Sequence, residues 1–168
     1  EPESFTPVVI DELAHLNKLT MVSPLRLEIE TQFLVADEFR PAHKLLTRQL
    51  NNKGITVYCN TPLLGRINDT PKSIQAIAFG CREAGIEFHH LYVAGLPVQN
   101  HWYREKPVAL YDVIDIATRV RREGSGREVP RYIIRTVLGE VDFGLSSTIL
   151  GQNGDLSVKL LPYDLSYY

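Results

Sequence analysis

Residues 55–71 constrain this chain most, because they spell a strand end, a polar loop and a helix start in immediate succession. Residues 55–59 are short and β-rich, and Gly65 and Asn68-Asp69 are turn residues. Thr70 is a helix N-cap, and Pro71 follows where its missing N–H is not needed. A strand that runs through a loop into a helix belongs in a parallel sheet, since parallel neighbours require a crossover.

The same grammar repeats along the chain. Thr6 and Pro7 open a helix with Val9, Ile10, Leu13, Leu16 and Leu19 at helical spacing. Residues 25–33 alternate, with Leu25, Leu27, Ile29 and Phe33 on one side and Arg26, Glu28 and Glu30 on the other, which predicts a strand with one wet face. A helix over 41–50 carries Leu45, Leu46 and Leu50, and Asn51-Asn52-Lys53-Gly54 ends it. The third helix, 71–84, turns Ile74, Ile77, Ala78 and Cys81 inward and closes at Gly85; residues 86–93 form the next strand.

Residues 107–122 place Val108, Tyr111, Val113, Ile114, Ala117 and Val120 at helical spacing. Arg119, Arg121 and Arg122 occupy the last turn, where the helix dipole favours cations, and read as a solvated helix end. Residues 131–137 are the fourth strand, and 145–150 with 156–161 read as an antiparallel hairpin joined at 151–155. The expectation is an α/β fold of about four parallel strands plus a C-terminal hairpin within 144–163, in one domain over 1–168. A doubly wound sheet and a partial (β/α) barrel both fit this pattern. The chain has no G-x-G-x-x-G or Walker glycine pattern after any strand, which argues against a nucleotide-binding sheet.

Composition narrows the class. At 44% hydrophobic and 23% charged, 168 residues can bury one ordinary core. A net charge of -2 argues against nucleic acid or an anionic membrane as the main partner. Every apolar run stops well short of the roughly 20 residues a membrane span needs, and Glu1-Pro2-Glu3 is no signal peptide. A cytoplasmic location is expected. The chain starts at Glu1 with its only methionine at Met21, so it reads as a piece of something longer. Cys59 and Cys81 lack metal-site spacing and read as buried thiols.

Three further stretches carry a resemblance. Pro62-Leu63-Leu64-Gly65-Arg66-Ile67-Asn68-Asp69, then Glu83-Ala84-Gly85-Ile86-Glu87-Phe88-His89-His90-Leu91-Tyr92, then His101-Trp102 ahead of Pro107-Val108 resemble the later strands of lysine 2,3-aminomutase-like radical SAM proteins in order and spacing. Thr31-Gln32-Phe33 with Glu38 is similar to that family's Thr-His-Phe segment and its downstream acid, and Val129-Pro130-Arg131-Tyr132-Ile133-Ile134 to its final barrel strand. The resemblance covers 6–162. It implies the C-terminal part of an incomplete (β/α) barrel in which a 4Fe-4S cluster and S-adenosylmethionine generate a radical, often with pyridoxal phosphate. It also places Arg66, Asn68, Asp69, Gly95, Asn100 and Arg135 at or near the mouth, with Gln32 facing it.

Departures from the family pattern limit what the chain can do. The cluster needs a Cys-x-x-x-Cys-x-x-Cys run, since thiolates ligate its iron, and this chain has none. The family's pyridoxal-phosphate lysine aligns with Asp142, and a carboxylate cannot form an imine. Pyridoxal phosphate is therefore not expected, and the cluster and S-adenosylmethionine belong to a full-length parent. The acids that hold lysine's distal amine align with Gly95 and Arg135; a lost acid and a gained cation disfavour lysine and favour an anionic small molecule near Arg135.

The expected ligand contacts are therefore Arg135, Gln32, Arg66, Asn68 and Asn100, with no catalytic group and no metal ligand. Plainer readings attach to the remaining polar residues. His89-His90 should point to opposite faces of a strand, His101-Trp102 should anchor its loop, Glu38 should fix the following loop or, more simply, cap the helix near Pro41, and Asp69 should serve the turn. Four strands do not close a barrel, so the outer strands, 25–33 among them, should seek a partner: an upstream portion of the parent barrel, or a second copy of the chain. The alternative to a radical enzyme is a ligand-binding or assembly domain on the same scaffold.

Overall fold

The structure, a computed structural model, describes residues 1–20, 25–126, 129–136, 139–142, 147–152 and 155–160. Its element order is α1 (Pro7–Thr20), β1 (Glu28–Thr31), α2 (Pro41–Asn52), β2 (Thr56–Pro62), α3 (Pro71–Ala84), β3 (Glu87–Ala94), α4 (Pro97–Trp102), α5 (Leu110–Glu123), β4 (Arg131–Thr136), β5 (Gly139–Asp142), β6 (Ser147–Gln152) and β7 (Asp155–Leu160). One sheet has the order β1-β2-β3-β4-β5. Its first four strands pair in parallel and β5 pairs antiparallel to β4.

The strand order separates the two architectures that fit the sequence. A doubly wound sheet reverses its strand order and carries helices on both faces. Here the parallel strands follow chain order, and α1 packs on α2, α2 on α3 and α3 on α5, forming one row of helices. This is the singly wound arrangement of an arc of a (β/α) barrel.

The helix row stands on an apolar sheet face. On α3, Ile74, Ile77, Ala78 and Cys81 recur at i, i+3, i+4 and i+7 and are buried, as the sequence predicts. They meet Val57 and Cys59 from β2, Phe88 and Leu91 from β3 and Tyr132 from β4. Thr70 accepts a hydrogen bond from Ser73 N at 3.1 Å, Pro71 is the first helical residue, and Gly85 ends α3 at φ 73°. The strand–loop–helix reading of 55–71 therefore holds in detail.

Elsewhere the packing moves boundaries and faces. β1 covers only Glu28–Thr31, because its one ladder, with β2, spans Glu28–Thr56 to Thr31–Cys59, and Leu25 lies exposed before it. α1 buries Ile10, Ala14 and Asn17, whereas Val9, Leu16 and Leu19 are exposed; the helix ends the row, so only one flank meets a neighbour. Asn17 Nδ2 fixes that flank by donating to Lys53 O at 3.1 Å and Gly54 O at 3.2 Å. Leu45 on α2 and Tyr111 on α5 also face outward.

α5 begins at Leu110 rather than 107, and α4 forms where a loop was expected, since six residues are too few to display a helical period. β4 was expected to be an outer strand, but β5 covers it, and among the described residues β1 is the unpaired edge of the parallel strands. The hairpin is present as β6–β7 with Gln152 opposite Asp155; its connecting residues 153–154 and the outer predicted residues 144–146 and 161–163 lie outside the described ones. No helix among the described residues is long and apolar enough to cross a membrane.

Candidate functional site

Three connecting segments leave the C-terminal ends of β1, β2 and β3 and share one rim: 32–40, 63–70 and 95–109. In the first, Glu38 Oε2 accepts from Leu34 N at 2.6 Å and Val35 N at 3.3 Å, so Glu38 closes its own loop. It does not cap α2; that end is served by His43 Nδ1, which accepts from Arg40 N at 3.0 Å.

The second segment is held from both sides. Asp69 Oδ2 accepts from Arg66 N at 2.8 Å, which supports Arg66 at φ 63°, a conformation few non-glycine residues adopt. From the third segment, Trp102 Nε1 donates to Gly65 O at 2.8 Å, so Trp102 anchors its neighbourhood as expected. Buried Gln99 donates to Tyr92 O and Leu63 O, and Tyr103 OH donates to Val93 O. A Cβ at Gly65 would lie 2.4 Å from Lys106 O, which is why this contact requires glycine.

Against this frame the expected ligand residues separate. Gln32, Arg66 and Asn100 are exposed beyond the ends of β1, β2 and β3, and Arg135 is exposed near the end of β4. Asn68 is 0% exposed: its Oδ1 accepts from Leu64 N at 2.7 Å, and its Nδ2 donates to Leu34 O at 3.1 Å and Pro62 O at 3.0 Å. Its amide is committed to the rim backbone. Among the described residues, no hydrogen bond or ion pair links these five side chains to one another.

The sheet face turned away from the helices carries a group that sequence reasoning set aside. Register shifts between Cys59–Phe88 and Asn60–His90, so β3 bulges at His89. The bulge puts His89 and His90 on the same face, rings stacked at 3.8 Å, instead of on opposite faces. Tyr58 lies 4.9 Å from His89 and Tyr92 lies 5.8 Å from His90, making a row of four rings. Asn60, beside them, is 5% exposed, and among the described residues its Oδ1 and both His90 nitrogens have no hydrogen-bond partner. The alternation rule that separates adjacent strand residues fails at a bulge, and nothing local in the sequence marks this one.

Burial, with smaller effects from His89 and Arg131, lowers the His90 pKa from 6.5 to about 4, so the imidazole is neutral at neutral pH. It then offers one donor and one acceptor. Burial, with Glu140 and Glu30, raises the Tyr92 hydroxyl, and burial with Glu28 raises Tyr58, so both stay protonated donors. Such a face can bind a polar ligand by hydrogen bonds, with His90 neutral. Because the folded pKa of His90 is depressed, the unfolded chain takes up the proton first. Stability is full above about pH 6.5 and falls as pH drops towards 4. Partial exposure reduces the expected loss to roughly 1–2 kcal/mol. Urea melts at pH 7 and pH 4.5 check this, and His90→Gln should flatten that part of the difference.

The groups implied by the family resemblance do not fit these residues. Cys59 and Cys81 are buried in the core, and two cysteines on separate elements do not make the three-thiolate run that cluster iron requires. At the position aligned with the cofactor lysine, Asp142 Oδ2 lies 3.0 Å from Arg131 Nε in an ion pair. No group of three or more His, Cys, Asp or Glu able to hold a metal occurs among the described residues. No protein-family model matches the chain, and no curated protein does.

Proposed function

We propose that this chain is the C-terminal, substrate-facing part of a radical S-adenosylmethionine enzyme of the aminomutase type, not competent alone and not specific for lysine. The singly wound order of β1–β4 carries this reading, because it brings three connecting segments to one rim. A shared mouth is what radical chemistry requires, since it shields a reactive intermediate from water. In this reading Arg135 and Arg66 take an anionic group of a small substrate, and Gln32 and Asn100 take its polar edges. Asn68 holds the rim in place. The cluster and S-adenosylmethionine are held by residues outside these 168, on an upstream barrel portion that pairs with the free edge of β1. The isolated chain would self-associate through that edge, and the cytoplasm is the compartment we assign.

The second reading, a ligand-binding or assembly domain that has lost radical chemistry, is favoured by the Asp142–Arg131 ion pair where a cofactor lysine would stand. The native gene sequence upstream of residue 1 separates the two. A Cys-x-x-x-Cys-x-x-Cys run there, followed by 5′-deoxyadenosine release after anaerobic reconstitution, supports the enzyme; a polypeptide without that run removes it. For the substrate contact, Arg135→Ala should weaken binding of anionic ligands about tenfold or more, and unchanged affinity would rule the contact out.

A further inference from the structure

His43 holds the far end of the 32–40 segment through a bond that exists only while its imidazole is neutral. Arg40 N donates to His43 Nδ1 at 3.0 Å, and His43 N donates back to Arg40 O at 3.0 Å, at the first turn of α2. A backbone N–H is always a donor, so Nδ1 must carry its lone pair and the ring proton sits on Nε2. The two halves of the segment are held differently. Around Leu34, Glu38 accepts from two backbone N–H groups, Thr61 Oγ1 donates to Phe33 O at 2.9 Å, and Asn68 Nδ2 donates to Leu34 O at 3.1 Å. Beyond Glu38 the segment rests on the ring of Phe39, stacked on Phe33 at 3.9 Å and so close to α3 that a Cβ at Gly80 would lie 2.5 Å from it. It rests also on Arg40, whose amide goes to His43.

The surroundings of His43 oppose an imidazolium. Arg40 is a cation beside it, and the start of α2 adds roughly half a positive charge. Glu1 and Glu3 favour protonation, but both carboxylates are engaged by the Arg40 guanidinium, at 2.7 and 3.1 Å, and the amino group of Glu1 is a further cation. The ring also packs edge-on against buried Phe33, with 5.1 Å between centroids. Burial, with Arg40, holds the His43 imidazole below its ordinary 6.5. Because the folded value is depressed, the bond contributes fully above about pH 6.5 and is lost as pH falls below it. Protonation sets one N–H against another and places a charge at the wrong end of a helix. We propose that His43 is a pH-sensitive latch on the rim, holding Phe39 and Arg40 at neutral pH and releasing them in mild acid while Leu34 and Val35 stay pinned. The latch belongs to the segment itself and stands whether or not the chain serves a radical enzyme.

Amide hydrogen exchange of the 168-residue chain at pH 7 and pH 5, corrected for the intrinsic pH dependence of exchange, tests the latch. Protection at Arg40 should fall about three- to tenfold at pH 5, the size of a lost helix cap, while Leu34 and Val35 change by less than about twofold. His43→Gln keeps an acceptor oxygen at the third helical position and does not titrate, so Arg40 should stay protected at both pH values. His43→Ala should leave Arg40 unprotected at both. His90→Gln should leave the response of Arg40 intact, which separates the latch from the acid sensitivity of the opposite sheet face. In an NMR titration the His43 ring and the Arg40 amide should shift with one midpoint. Unchanged protection at Arg40 in the parent, a loss that persists in His43→Gln, a response abolished by His90→Gln, or separate midpoints overturn the proposal.

Discussion

Gly95→Ala is expected to destabilise the chain by roughly 3–5 kcal/mol, combining backbone strain with overpacking. Gly95 sits at φ +112°, outside the range an L side chain adopts, and a Cβ built there lies 2.2 Å from Arg135 Cβ and 3.1 Å from its Cα. Neither neighbour can swing away, because both belong to the β4 backbone and its first side-chain carbon. Urea denaturation of the variant against the parent checks the magnitude; a loss under about 1 kcal/mol would show that β3 and β4 separate easily, against the close approach. The consequence reaches the substrate reading. An acid placed at 95 should fail in the same way by unfolding the rim, so Gly95 and Arg135 act as one matched pair.

Asn68→Leu is expected to cost about 3 kcal/mol, because the side chain makes three hydrogen bonds to backbone groups at full burial. The isosteric apolar replacement fills the space but leaves the Leu64 N–H and the Leu34 carbonyl without this partner. Hydrogen exchange should quicken at Leu64 and in the 32–36 and 63–69 segments while the middle of α3 keeps its protection. Uniform acceleration across α3 would instead mean global loosening. A ligand role for Asn68 would predict the opposite pattern, with stability preserved and affinity lost.

Asn68 also shows where a sequence stops being legible. Its turn position was readable from Asn68-Asp69-Thr70-Pro71, but its partners Leu34 and Pro62 lie on the ends of two other segments. The capping account of Glu38 and the opposite-face reading of the histidines failed for the same kind of reason. The choice between capping a helix and closing a loop depends on which backbone N–H lies within reach, and the stacking of His89 on His90 depends on a bulge created by register with β2. On α1 the apolar period was correctly read as helix, yet the face that packs is Ile10–Ala14–Asn17, chosen by where α2 stands.

The sequence by itself determined the elements whose causes are local. These are the N-cap at Thr70, the stop at Gly85, the buried stripe of α3, the alternation of helix and strand, and the absence of a cluster cysteine run. Only the tertiary structure decided that the strands wind singly, that β5 covers β4, and that Asp142 is ion-paired with Arg131. It alone also brought Asn60, His89 and His90 onto one face. The physical reason is range. Caps, turns and helical periods act within a few residues, whereas strand order, register and the burial of a polar group depend on contacts between segments far apart along the chain.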